Sequence, residues 1–183
     1  MSCPSGGYSP SGEKPVAVYA DWLAQNLIEP MAFESVSHAD LCLAHSTDYV
    51  EGVFSGKTNN GHGNKNLDVA ESTRWTVGSL VAAAREAVRS RVACSPSSGF
   101  HHAYNGAGGG FCTFNDPLGG LLTNEELSKR DSTVFERCCN DKIPIAWNLA
   151  GGYQKTADGS IHKVIEIHRE TMRQCNRVFD QAS

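Results

Sequence analysis

The sequence has no excess of positive charge. Its 16 lysines and arginines stand against 20 aspartates and glutamates, a net charge of −4 over 183 residues, which argues against a generally basic nucleic-acid-binding surface. No apolar run is long enough to cross a bilayer. The first residues, Met1 to Gly7, carry neither a basic stretch nor an apolar one, so the expectation is a cytoplasmic chain without membrane attachment. The seven cysteines form no CxxC pair and keep no regular spacing. That pattern suits neither a disulfide scaffold nor a structural zinc knot, and the cysteines read as mostly reduced, buried thiols. Neither G-x-x-x-x-G-K-[ST] nor G-x-G-x-x-G occurs, which removes the two common glycine-rich phosphate cradles.

What is present is the composition of an ordinary globular protein, 40% hydrophobic and 20% charged, at a length that suits a single domain over residues 1–183. Residues 1–12 are rich in Ser, Gly and Pro and are expected to be flexible. A helix is predicted to start near Lys14, with Pro15 in its first turn and Val16, Tyr19 and Leu23 on one face. Met31 to Val36 reads as a short strand. Ser37 and Asp40 form a capping box for a short helix carrying Leu41, Ala44 and His45. After a polar loop over 55–66, Val69, Thr73, Val77, Leu80, Val81, Ala84 and Val88 recur at helical spacing, closed by Arg89 and Arg91. Val92 to Cys94 is predicted as a strand. Thr123 and Glu126 are predicted to box a helix running to about Cys139. Ile143 to Leu149 reads as a strand, and Ser160 as the cap of a last helix with Val164, Ile167, Thr171, Cys175 and Val178 inward. Strand and helix alternate, which predicts an α/β fold with a mostly parallel sheet sandwiched by helices. In such sheets the chemistry gathers at the carboxyl ends of the strands.

Two stretches fall at such strand ends. His101 and His102 sit side by side in the loop after Cys94. Histidine titrates near neutrality, so a pair can divide the work of base and acid, and two adjacent cations repel, which splits their pKa values. A bare histidine pair is equally the mark of a solvated loop. The glycine run from Gly106 to Gly110 lets a ligand approach the backbone closely. In the second stretch, Trp147 to Tyr153, a tyrosine follows two glycines and can direct its hydroxyl at a developing oxyanion. Taken alone, it reads more simply as an ordinary loop tyrosine.

Taken together, Gly99-Phe100-His101-His102-Ala103, Gly110-Phe111-Cys112-Thr113-Phe114-Asn115 and Leu149-Ala150-Gly151-Gly152-Tyr153 resemble the histone deacetylase family of zinc amidohydrolases. His45 with Tyr49-Val50, and the Asn60-Gly61-His62-Gly63-Asn64 loop, extend the resemblance over roughly residues 9–180. The resemblance implies an arginase/deacetylase-like fold and zinc-dependent hydrolysis of an acetylated lysine or small acetylated amine. It places His101, His102 and Tyr153 in catalytic roles. Phe111 becomes a wall of the acyl channel, Gly110 a carbonyl acceptor for the substrate amide, and Asp116 a zinc ligand. With the charge and hydropathy above, no direct contact with nucleic acid or membrane is expected, and an oligomer is compatible with the sequence.

The sequence also departs from the family pattern. The family draws two zinc ligands from a D-x-H motif, and no D-x-H occurs here. Asn115 runs directly into Asp116-Pro117-Leu118-Gly119, which is similar to a later family segment. The chain therefore reads as a family domain lacking its central block, with a seam at 115–117 and an incomplete sheet. A deletion form without activity is the alternative to the enzyme. His45, His62, His162 and His168 are four further histidines that can be weighed as substitute ligands. On helical or polar-loop positions each is more simply structural or solvated.

Overall fold

The computed structural model describes residues 13–97, 103, 105–109, 124–149 and 155–181. The predicted flexible segment 1–12 and the Thr123 cap fall outside these residues. The described chain runs α1 (Lys14–Ala24), α2 (His38–Leu41), α3 (Thr47–Phe54), α4 (Leu67–Ser90), β1 (Val92–Ser95), α5 (Asn124–Asn140), β2 (Ile145–Asn148) and α6 (His162–Asp180).

β1 and β2 pair in parallel, with Val92 opposite Ile145 and Ser95 opposite Asn148. The alternating side chains of a strand divide between two faces. Val92, Cys94, Ile145 and Trp147 turn toward a cluster built by Val18 and Trp22 of α1, Phe135 of α5, and Met172, Cys175 and Phe179 of α6. Trp147 makes edge-on ring contacts with Trp22 at 5.6 Å and with Phe135 at 5.9 Å. Ser95 turns the other way, its hydroxyl 2.7 Å from that of Ser79 on α4. The sheet is thus covered on both sides, as a parallel pair requires. The expected α/β layering is present. The sheet is small: among the described residues it has two strands.

The second core lies under α4. Val36, Leu41, Tyr49, Val50, Val53, Ala70 and Ala103 are buried together, with Val77 and Val81 packed against them. The local signals that start these helices are side-chain caps. Ser37 and Asp40 form the expected capping box on α2. Ser46 accepts from the Tyr49 amide at the start of α3. Asn66 accepts from Asp68 and Val69 at the start of α4. Each satisfies amides that a helix leaves unbonded. α4 ends at Arg91 in the left-handed conformation, φ 76°. The Arg91 guanidinium donates to the Cys139 carbonyl at 2.6 Å and lies over the Phe179 ring.

Five sequence expectations are corrected. Residues 31–36 form no strand. They lie across α4, where Val36 N donates to Arg74 O at 3.2 Å and Arg74 Nε donates to Val36 O at 2.7 Å. Those bonds replace the strand partners that the segment lacks. The α1 stripe is rotated: Lys14, Val18 and Trp22 are buried, while Val16 is 52% exposed. The large Trp22 ring decides the orientation, because it has the most apolar surface to lose. On α4 the second half buries Ala83 and Ala87 and leaves Val88 at 73% exposure. Alanines let the helix approach the sheet closely there. On α6 the buried row is Val164, His168, Met172, Cys175 and Phe179, one position on from Ile167, Thr171 and Val178. Ser160 does not cap α6. Ile161 occupies that position without a side-chain bond, and the Ser160 hydroxyl lies 2.6 Å from His162 Nδ1 instead.

Candidate site at the carboxyl ends of the parallel strands

The two motif-bearing segments leave the sheet side by side. After β1 the chain passes Ser97 and enters the stretch holding His101 and His102. After β2 it passes Leu149 and enters the stretch holding Tyr153. The pairing continues one step past the strands, since Leu149 N donates to Ser97 O at 2.9 Å. Both segments therefore start from one hydrogen-bonded point at the same end of a parallel pair, where α/β proteins build their sites. His101, His102, Gly110, Phe111, Asp116 and Tyr153 themselves lie outside the described residues, as do the expected seam at 115–117 and the Gly99–Phe100 start of the first motif.

The far end of the histidine segment is anchored. Ala103 is buried in the core with Tyr49, Val50 and Val53. Asn105 O accepts from Ser46 N at 2.9 Å, and Asn105 Nδ2 donates to Ala44 O at 3.1 Å. His45 lies between these two anchoring residues in sequence. It is buried, with its ring 5.8 Å from that of Tyr49. Burial raises the Tyr49 hydroxyl above the usual tyrosine range. The pairing of His45 with Tyr49-Val50 noted in the sequence is thus a packed unit beside the end of the histidine segment.

The root of the tyrosine segment is held as well. Lys14 Nζ donates to Leu149 O at 3.2 Å across 135 positions of sequence. Lys14 is fully buried, and burial pulls its ammonium down from the usual value to about 8. The hydroxyls of Ser79, Ser95 and Ser97 form a chain behind β1. Sequence reasoning missed Lys14. A lysine in the first turn of a helix reads as solvated, and the one available signal was its i, i+4, i+8 spacing with Val18 and Trp22.

Three further histidines lie elsewhere. His168 is buried on the α6 face toward α1, and Trp22 Nε1 donates to its carbonyl at 3.3 Å. Burial, with Lys14 and Arg130 nearby, drives the imidazole down to about 3, so it is neutral at pH 7. His62 lies in a loop clasped by Asn60, whose side chain bonds His62 N at 2.9 Å and Asn64 Oδ1 at 2.8 Å. His162 is exposed at the start of α6. Among the described residues, no three His, Cys, Asp or Glu side chains gather as a metal would need. The five described cysteines are free thiols, with Cys94 and Cys175 pushed up to about 12 by burial. Catalytic zinc takes about three protein ligands and an open position. Asp116 is one carboxylate, and the sequence has no D-x-H to join it. Among the described residues, no catalytic zinc set is assembled.

A parallel α/β pair with motif loops at its carboxyl end defines the class: an α/β protein with a strand-end site. The family then follows from comparison. The histone deacetylase domain matches residues 13–120, more than half of the chain, and the chain belongs to the histone deacetylase family. His101, His102, Gly110, Phe111 and Asp116 lie inside the matched range, and Tyr153 lies beyond it. The chain is also similar to an uncharacterized protein of Picosynechococcus sp. (strain PCC 7002), 34% identical over 79 residues. That match covers 40% of this chain and 26% of the relative, so the chain spans about a quarter of that protein's length. No described helix is long and apolar enough to cross a membrane.

Proposed function

We propose that the chain is a deacetylase-type amidohydrolase acting on an acetylated lysine or a small acetylated amine, at the carboxyl ends of β1 and β2. The observation that carries this reading is the shared root of the two motif segments, the Leu149 N to Ser97 O bond. It brings the start of the histidine segment and the start of the tyrosine segment to one place. In this reading one of His101 and His102 removes a proton from the attacking water and the other returns a proton to the leaving amine. Adjacent imidazoles suit that division, because protonating one lowers the pKa of the other. The Tyr153 hydroxyl donates to the oxyanion of the tetrahedral intermediate. Phe111 walls the acyl channel, and the Gly110 carbonyl accepts the substrate N–H. No step is assigned to a metal.

The missing D-x-H favours a second reading. It is a family member whose central block is absent at 115–117, which binds zinc poorly and has a role in binding or none. One experiment separates the two. The purified, monodisperse chain is dialysed against a weak chelator, its zinc content is measured, and hydrolysis of an acetyl-lysine peptide is assayed for wild type, His102→Ala and Tyr153→Phe. Hydrolysis that falls by about a hundredfold or more in either variant supports the enzyme. Equal rates in all three refute the assigned roles. A folded, zinc-free chain with no hydrolysis selects the second reading.

A further inference from the structure

A buried ammonium is costly unless something requires it. Lys14 has 0% exposure, yet it occupies a position on α1 where an apolar residue would continue the row of Val18 and Trp22. Its Nζ reaches the Leu149 carbonyl at 3.2 Å, one residue past β2 and on the same residue whose amide closes the link to Ser97. Leu149 is thus held from both sides: its N–H by β1's continuation, its C=O by α1. We propose that Lys14 is a positioning residue for the carboxyl end of β2, fixing the Leu149 carbonyl through a proton-dependent bond and so setting the point from which the chain continues toward Tyr153. The inference rests on the deacetylase reading for its consequence in catalysis, and on the geometry alone for the bond.

A neutral amine donates less strongly than an ammonium, so the hold on Leu149 depends on the proton of Lys14. Burial brings that proton's loss to about pH 8. The titratable group that feels Lys14 is His168, and the charges beyond it on α5 and α1 are each engaged in an ion pair. On α6, His168 stands close enough for its imidazole to be depressed by Lys14. On α5, Arg130 acts on the same imidazole and bonds Asp131, at 2.8 Å from its Nε. On α1 itself, Asp21 is engaged by Arg169 Nε of α6 at 2.8 Å. From β2 the group met is the Leu149 carbonyl. His168 is already neutral well above its midpoint of about 3, so it does not titrate where Lys14 does.

The test uses the full chain labelled with carbonyl-¹³C leucine. The Leu149 carbonyl shift is followed from pH 6.5 to 10 in wild type, Lys14→Met and Lys14→Arg. Wild type is expected to titrate with a midpoint near 8. Lys14→Met, which keeps the apolar stem without the donor, is expected to be flat. Lys14→Arg, charged throughout, is expected to be flat at a hydrogen-bonded shift. A Leu149 carbonyl that titrates identically in wild type and Lys14→Met overturns the inference. In the same samples, kcat for an acetyl-lysine peptide is expected to fall about tenfold in Lys14→Met at little changed KM, with recovery in Lys14→Arg. If no sample hydrolyses the peptide, the deacetylase reading fails, and the carbonyl titration still decides the bond.

Discussion

Gly78 decides between two opposed effects, and its substitution tests the packing of the 31–36 segment on α4. Ordinary helix propensity favours alanine over glycine in a helix interior by about 1 kcal/mol. The structure predicts the opposite sign. A Cβ at Gly78 would lie 2.4 Å from Glu34 O, 3.0 Å from Ser35 Cα and 3.2 Å from Val36 N. All three are backbone atoms, so no side-chain rotation relieves the clash. The segment must lift off the helix. Overpacking of this kind costs about 1–3 kcal/mol. The two bonds between Arg74 and Val36 are strained at the same time, at about 1 kcal/mol each if lost. Set against the propensity gain, Gly78→Ala is expected to lose about 2 kcal/mol. For a chain of this size that corresponds to a fall in Tm of about 4–8 °C. Urea melts with tryptophan fluorescence provide the assay. Trp75 is a local reporter, because its ring meets Phe33 of the same segment at 6.0 Å. A Gly78→Ala protein as stable as wild type, or more stable, refutes the close approach.

Two further outcomes follow from the caps and from the buried imidazole. Asn66→Ala removes the acceptor for the Asp68 and Val69 amides and is expected to cost about 1 kcal/mol in a denaturant melt, with Asn66→Ser recovering most of it. His168 has its folded pKa lowered from 6.5 to about 3, so between those values the unfolded chain holds a proton that the folded chain does not. Stability from this residue is fully present above about pH 6.5 and declines as pH falls toward 3, with a slope of up to about 1.4 kcal/mol per pH unit. His168→Leu is expected to remove that component of the acid limb, and an unchanged pH dependence of urea midpoints in the variant refutes the neutral, buried imidazole.

The helices were legible in the sequence because their signals are local. Ser37 with Asp40 announced α2, and the long apolar recurrence announced α4. The faces were less legible, because a stripe read from apolar residues alone follows the pattern and not the partner. Trp22 outweighed Val16 on α1. His168 took a core position on α6 that an apolar-only reading passes over, and small alanines took the close approach on α4. Residues 31–36 have strand-like composition, but their backbone partners come from Arg74, which lies far along the chain and leaves no local trace. The strand pair was legible as two short apolar runs, and its register was not, since pairing depends on neighbours absent from either run. The candidate site was legible as motifs. What the sequence could not convey was that their roots share one bond, or that a lysine from the first helix reaches one of them.

The register of β1 and β2 sets the offset between the two strand ends from which the motif segments start. Sliding one strand by a single residue would carry Leu149 about 3.3 Å along the pair and turn every side chain to the opposite layer. Trp147 would leave its contacts with Trp22 and Phe135, and Ala146 would enter in its place. The aromatic cluster therefore works as a detent, holding the two strand ends at a fixed offset from below. Substitutions that loosen it, though confined to the interior, are expected to act on the offset between Ser97 and Leu149, the two strand ends.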